Sequence, residues 1–141
     1  MAKPRDMLGR REVVDFPELN LFGVVAKVDT GSYRGTLHCS DFKLVQRGGI
    51  KYVKFRPLDP DHPSFKHQPV LFKDYKRAWV RPSSGHNQKR YVIETDIIVK
   101  GQAYRIEISL SDRNRMRHPV LIGRKFLKGK FLVDIDKVAG N

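Results

Sequence analysis

Leu21-Phe22-Gly23-Val24-Val25-Ala26-Lys27-Val28-Asp29-Thr30-Gly31-Ser32 runs from an apolar, β-branched segment straight into a tight polar turn. The first eight residues read as a strand, because branched and aromatic side chains fit a pleated, half-buried surface. In the turn, Asp29 supplies a carboxylate, Thr30 a hydroxyl that can fix the bend, and Gly31 a backbone free to turn tightly and approach a ligand without a Cβ. Taken alone, Asp-Thr-Gly is ordinary strand-end chemistry. The same grammar recurs about ninety residues later in Pro119-Val120-Leu121-Ile122-Gly123-Arg124, where an apolar run again meets a glycine but no acid follows. A short helix is expected from Arg124 through Lys125, Phe126, Leu127 and Lys128, closed by Gly129.

Around and between these two glycine elements the pattern is mainly β. Residues 12 to 16 form a strand-like run separated from 21 to 28 by Pro17-Glu18-Leu19-Asn20. Phe42 to Phe55 contains two runs around Arg47-Gly48-Gly49, where paired glycines favour a hairpin. Tyr91 to Val99 and Gln102 to Leu110 flank Lys100-Gly101, and the second arm alternates Tyr104, Ile106, Ile108 and Leu110 with Arg105, Glu107 and Ser109. That alternation predicts one buried face. Pro57 to Pro82 holds five of the eight prolines and reads as the loop-rich part of the domain.

The chain of 141 residues, 40% of them apolar, is sized for a single domain over residues 1–141, with a flexible basic end over 1–11. No apolar run approaches the roughly eighteen residues a membrane helix needs, and the N-terminus lacks a signal core, so a soluble cytoplasmic protein without a membrane partner is expected. Cys39 stands alone, which fits a reducing compartment and gives no cysteine-based zinc framework. The net charge of +13 favours polyanionic partners, whether acidic polypeptide or nucleic acid. His38, His62, His67, His86 and His118 show no metal-ligand spacing, and Asp59, Asp61, His62 and His67 read better as a solvated loop, so no metal and no cofactor are assigned.

The combination of motifs is similar to one bacterial family. Glu12-Val13-Val14 with Pro17-Glu18-Leu19, Val25-Ala26-Lys27-Val28-Asp29-Thr30-Gly31, Leu37-His38, Ser109-Leu110-Ser111-Asp112-Arg113, Met116-Arg117, Leu121-Ile122-Gly123-Arg124 and Phe131-Leu132-Val133-Asp134 together resemble the retropepsin-like aspartic proteases labelled ATP-dependent zinc proteases, also called RimK/LysX-associated or RimB-like. The resemblance implies an all-β, closed acid-protease barrel with one short helix after Leu121-Ile122-Gly123. It implies Asp29 as the catalytic carboxylate, held in a turn with Thr30, Gly31 and Ser32 and packed beside Leu121, Ile122, Gly123 and Arg124. The family's usual Asp-Thr-Gly-Ala-x-Thr-Ser-x-Leu-His-Ala reads here Asp29-Thr30-Gly31-Ser32-Tyr33-Arg34-Gly35-Thr36-Leu37-His38-Cys39, so Arg34-Gly35 replaces Thr-Ser. Ser32 is expected to offer its hydroxyl to the Asp29 carboxylate.

One chain carries one Asp-Thr-Gly, so the implied mechanism needs a second copy related by a two-fold axis. Two carboxylates would then flank one water and share a proton, one activating the water while the other polarises the scissile carbonyl. Family order places the covering flap over Trp79 to Val92, with a tip at Ser83, Ser84, Gly85 and His86. An ordinary exposed loop explains that stretch equally well, and the Arg47-Gly48-Gly49 hairpin is the rival flap. The family's association with glutamate-adding ligases implies an acidic or glutamate-tailed protein or peptide substrate. The alternative is a non-catalytic basic module for RNA or the ribosome, with Lys51-Tyr52-Val53-Lys54-Phe55-Arg56 and Tyr75-Lys76-Arg77-Ala78-Trp79 supplying phosphate contacts and stacking.

Overall fold

The computed structural model describes residues 5–58, 60–65, 68–80, 86–111 and 118–138. Among these residues eleven strands, one turn of 3₁₀ helix and one short α-helix are formed: β1 (Asp6–Leu8), β2 (Arg11–Phe16), the 3₁₀ turn (Pro17–Leu19), β3 (Leu21–Val28), β4 (Gly35–Arg47), β5 (Ile50–Pro57), β6 (Val70–Phe72), β7 (Tyr75–Val80), β8 (Gln88–Val99), β9 (Gln102–Ser111), β10 (Val120–Ile122), α1 (Arg124–Leu127) and β11 (Phe131–Val133). The expected strands and hairpins are present, and β8 begins three residues earlier than the apolar pattern marked. The helix ends before Gly129, which takes a φ of 80°.

Six strands close on themselves in the order β3, β2, β8, β9, β4, β10 and back to β3. Closure removes the edges of that sheet, so every strand of the ring has its ladder satisfied on both sides for part of its length. The fold is thus the all-β barrel with one short helix that the motif order implied. Inward-facing Leu21, Val24, Ala26 and Val28 of β3, Ile93, Ile97 and Val99 of β8, and Ile106, Ile108 and Leu110 of β9 fill it, all nearly fully buried. The strict alternation expected along β9 fails at Ser109, which is buried instead of outward-facing. There β9 is flanked by β8 on one side and β4 on the other, and Ser109 Oγ donates to the Gly35 carbonyl (2.9 Å) and shares a hydrogen with Thr36 Oγ1 (3.2 Å).

Two appendages leave the barrel. The β4–β5 hairpin continues past a bulge between Ser40 and Lys43 and is extended by β6. The other is β7, which pairs with the first half of β8 from Tyr75↔Ile93 to Val80↔Gln88. Asp6–Leu8, within the segment expected to be a flexible end, form β1 and lie parallel to β11, with Leu8 fully buried. No helix among the described residues is long and apolar enough to cross a membrane.

Candidate active site

The short strand β10 is the element that builds the site. It is inserted between β3 and β4, parallel to the first (Leu121↔Lys27, Ile122↔Val28) and antiparallel to the second (Leu121↔Thr36, Ile122↔Gly35). Those are the two strands that enter and leave the Asp-Thr-Gly turn, so the two glycine elements, far apart in sequence, meet side by side. The Asp29 amide donates to the Ile122 carbonyl (2.8 Å), and Val28 N–H, one residue earlier, donates to Arg10 O (2.9 Å). Both strand-end hydrogen bonds fix where the carboxylate of Asp29 emerges.

Within the turn, Asp29 Oδ1 accepts the Gly31 amide (3.0 Å) and Ser32 N–H closes the bend on Asp29 O (3.1 Å). Asp29 is half-buried, while Thr30 and Gly31 are exposed. The structure gives Ser32 a second role in the loop. Its Oγ accepts the Gly35 amide (3.1 Å) and braces the far side of the loop, while Asp29 Oδ1 is held by the Gly31 amide.

Close packing explains the glycines. A Cβ on Gly123 would lie 2.5 Å from Tyr33 O and 2.6 Å from Gly35 N, and α1 starts there with Arg124 N–H on Ser32 O (2.8 Å) and Lys125 N–H on Tyr33 O (2.9 Å). Gly35 has a φ of 82°, and a Cβ there would lie 2.2 Å from Leu121 O. The serine usual in the family at this position could not enter this backbone, so the departure at Arg34-Gly35 is a consistent local solution in which Gly35 lets β10 approach.

Arg34 has work of its own, which the sequence did not reveal. Its Nε bonds Glu107 Oε1 (3.1 Å), and the same carboxylate receives Lys125 Nζ of α1 (2.6 Å) and Lys76 Nζ of β7 (3.1 Å). Burial would raise the pKa of Glu107, but hydrogen bonds from Lys125, Lys76 and Arg34 outweigh it and lower it from 4.5 to about 2. Glu107 therefore ties the turn, the helix and the β7–β8 hairpin together. Next to it Tyr33, 48% exposed, carries Arg34, Arg124 and Lys125 around its ring at 5.2, 5.5 and 5.7 Å from the centroid. Arg124 also donates from Nη1 to Gly31 O (3.3 Å).

Of the flap residues, Ser83, Ser84 and Gly85 lie outside the described residues, and His86 is exposed beside the start of β8. Asp59 and His67 also lie outside them, whereas Asp61 is exposed and His62 Nδ1 accepts the Ser64 amide (3.0 Å). The described residues contain no group of three His, Cys, Asp or Glu placed to hold a metal. Cys39 is buried in the core.

Comparisons with known proteins agree with this geometry. Over 138 residues the chain is 29% identical to a protein of Shewanella pealeana named probable alpha-L-glutamate ligase, covering 95% of this chain and 29% of that one. Similarly named proteins of Desulfotalea psychrophila (29% identity, 92% of this chain, 28% of that one) and Parasynechococcus marenigrum (30%, 91% and 28%) match in the same way. The chain thus spans less than a third of the length of these curated relatives. A crystal structure of a Legionella pneumophila protein of unknown function superposes with a TM-score of 0.75 at 23% identity, over 96% of this chain and 98% of that one, and so shares the fold. Residues 7–138 match the family described as retropepsin-like aspartic endopeptidase RimB, and with the Asp29 turn seated against β10 the chain belongs to that RimB-like family.

Proposed function

We propose that the protein is an aspartic endopeptidase whose active site is completed by a second copy of the same chain. The observation that carries this reading is the seating of Asp29. A half-buried carboxylate is held by a backbone amide at the mouth of a turn locked between three strands, directly beside the second glycine element on β10. Two such turns facing across a two-fold axis would hold one water between two carboxylates that share a proton, the arrangement that activates water and polarises an amide carbonyl.

Surface chemistry supports the association. The β1–β11 sheet leaves Met7 (42% exposed) and its register partner Leu132 (48%) uncovered, with Ile135 (73%) beyond them. This sheet stands at the same end of the barrel as the turn, since Arg10, just after β1, accepts from Val28, just before Asp29. A second copy is the occupant that would both cover these side chains and supply the missing carboxylate.

The β7–β8 hairpin is the better flap of the two. Lys76 on β7 shares Glu107 with Arg34 of the active turn, whereas among the described residues the β4–β5 hairpin makes no ion pair with that turn. Arg34, Arg124 and Lys125 around exposed Tyr33, within five residues of Asp29 or packed on its turn, favour an acidic substrate segment at this mouth. The name of the relatives, which join glutamate, points the same way. Of the four aromatic rings on which an RNA reading relies, Phe55 is fully buried against Phe72 and Tyr75 packs edge-on to Tyr91, while Trp79 is 67% exposed. The decisive assay is peptide hydrolysis by wild type and Asp29→Asn, using glutamate-rich and neutral peptides. Hydrolysis should fall by about 10³-fold in the variant, since the acid–base function is lost while shape is kept. Cleavage that survives the substitution would remove Asp29 from the chemistry.

A further inference from the structure

We infer that the base of the β4–β5 hairpin is a binding site for a phosphate monoester, separate from the active turn. At the bulge between Ser40 and Lys43 the chain takes a left-handed residue, Asp41 (φ 52°), and opens a cavity of about 330 Å³ lined by Asp41, Phe42, Lys43, Lys54, Arg56 and Pro69. Immediately after the bulge Lys43 is paired with Lys54 across the ladder. Like charges directly opposite one another on a sheet destabilise the pairing, and neither lysine has an acidic partner among the described residues. Arg56, two residues along β5, points into the same cavity with its guanidinium held by Asp41.

The unpaired lysines are therefore a local cost that an anion would repay. Among the described lining residues, Lys43 and Lys54 stand beside the Arg56–Asp41 pair, and two such ammonium groups match a phosphate monoester at about −1.5 to −2 better than a single carboxylate. A tetrahedral phosphate also offers three terminal oxygens for two ammonium groups and one guanidinium at once. The ring of Phe42 is packed on Tyr91 (centroids 5.1 Å apart) and forms a fixed apolar wall with Pro69, beside which the ester carbon would lie. Lys43 is eight residues along β4 from Gly35, about 26 Å at strand rise, so occupancy does not obstruct Asp29.

The test uses full-length protein and the double variant Lys43→Gln/Lys54→Gln, each carrying Asp29→Asn to prevent turnover. Calorimetric titrations with inorganic phosphate, a sugar phosphate, a phosphoserine peptide and a glutamate peptide of matched charge separate the chemistry and its sources. Phosphate-bearing probes should bind the parent at least tenfold more tightly than the double variant, and the more strongly bound ester identifies whether a small molecule or a protein is the source. Without ligand the double variant should melt at a higher temperature at low salt, because the repulsion is gone, and phosphate should raise the melting temperature of the parent only. Equal binding by parent and double variant, no binding of any phosphate probe, or equal affinity for the glutamate peptide would each overturn the assignment.

Discussion

Replacing Glu107 by Gln removes one negative charge from beneath Arg34, Lys76 and Lys125 without changing its shape. The fall of its pKa from 4.5 to about 2 corresponds to ~3.4 kcal/mol of preference for the charged form. Lys76 is 55% exposed and Lys125 37%, so solvent screens much of this, and about 1 to 2 kcal/mol of stability is the expected loss at pH 7. The folded-state pKa lies below the unfolded one, so the contribution is fully present above about pH 4.5 and declines as pH falls towards 2. Urea unfolding of wild type and Glu107→Gln at pH 7 and again at pH 3 measures this. The gap between the two proteins should be clear at pH 7 and shrink to less than half at pH 3. Because the same carboxylate holds the active turn and the base of the β7–β8 hairpin, kcat/KM should fall as well. A difference below about 0.3 kcal/mol at pH 7, or one that is independent of pH, would refute Glu107 as the tie between those elements.

Three further outcomes follow from the geometry. Gly35→Ser, which restores the residue usual in the family, should destabilise the protein by about 3 kcal/mol or prevent folding, because it combines a φ of 82° with a Cβ 2.2 Å from Leu121 O; thermal melting checks this. Trp79→Ala, at a site 67% exposed on β7, should leave the melting temperature nearly unchanged and lower kcat/KM if this hairpin covers the substrate. Tyr33→Ala with Arg124→Gln should selectively raise KM for glutamate-rich peptides and flatten the dependence of cleavage on salt, with neutral peptides as the comparison.

Period-two patterning and glycine turns made the strands and their hairpins legible, and the motif order anticipated that Asp29-Thr30-Gly31 would lie beside Leu121-Ile122-Gly123. What remained hidden depends on contacts between distant strands. Glu107 sits where alternation along β9 predicts only a solvent-facing acid, and nothing local says that α1, β7 and the turn after β3 all send a cation to it. Tyr33 lies in a turn, where a lone aromatic carries no periodic signal. Arg34-Gly35 looked like a defect in the motif because the carbonyl of Leu121 that requires Gly35 comes from a strand more than eighty residues away. Burial of Ser109 and the pairing of β1 with β11 were missed for the same reason: short or polar segments owe their place to partners and not to their own propensity.

The most direct test of the central claim is a mixing experiment in which wild type and Asp29→Asn are unfolded and refolded together in known ratios and peptide hydrolysis is measured per wild-type chain. If each active site needs one Asp29 from each of two copies, random pairing leaves activity proportional to the wild-type fraction, about one half in an equal mixture and about one quarter with a threefold excess of variant. Activity per wild-type chain that stays constant at every ratio would contradict a site shared between two copies.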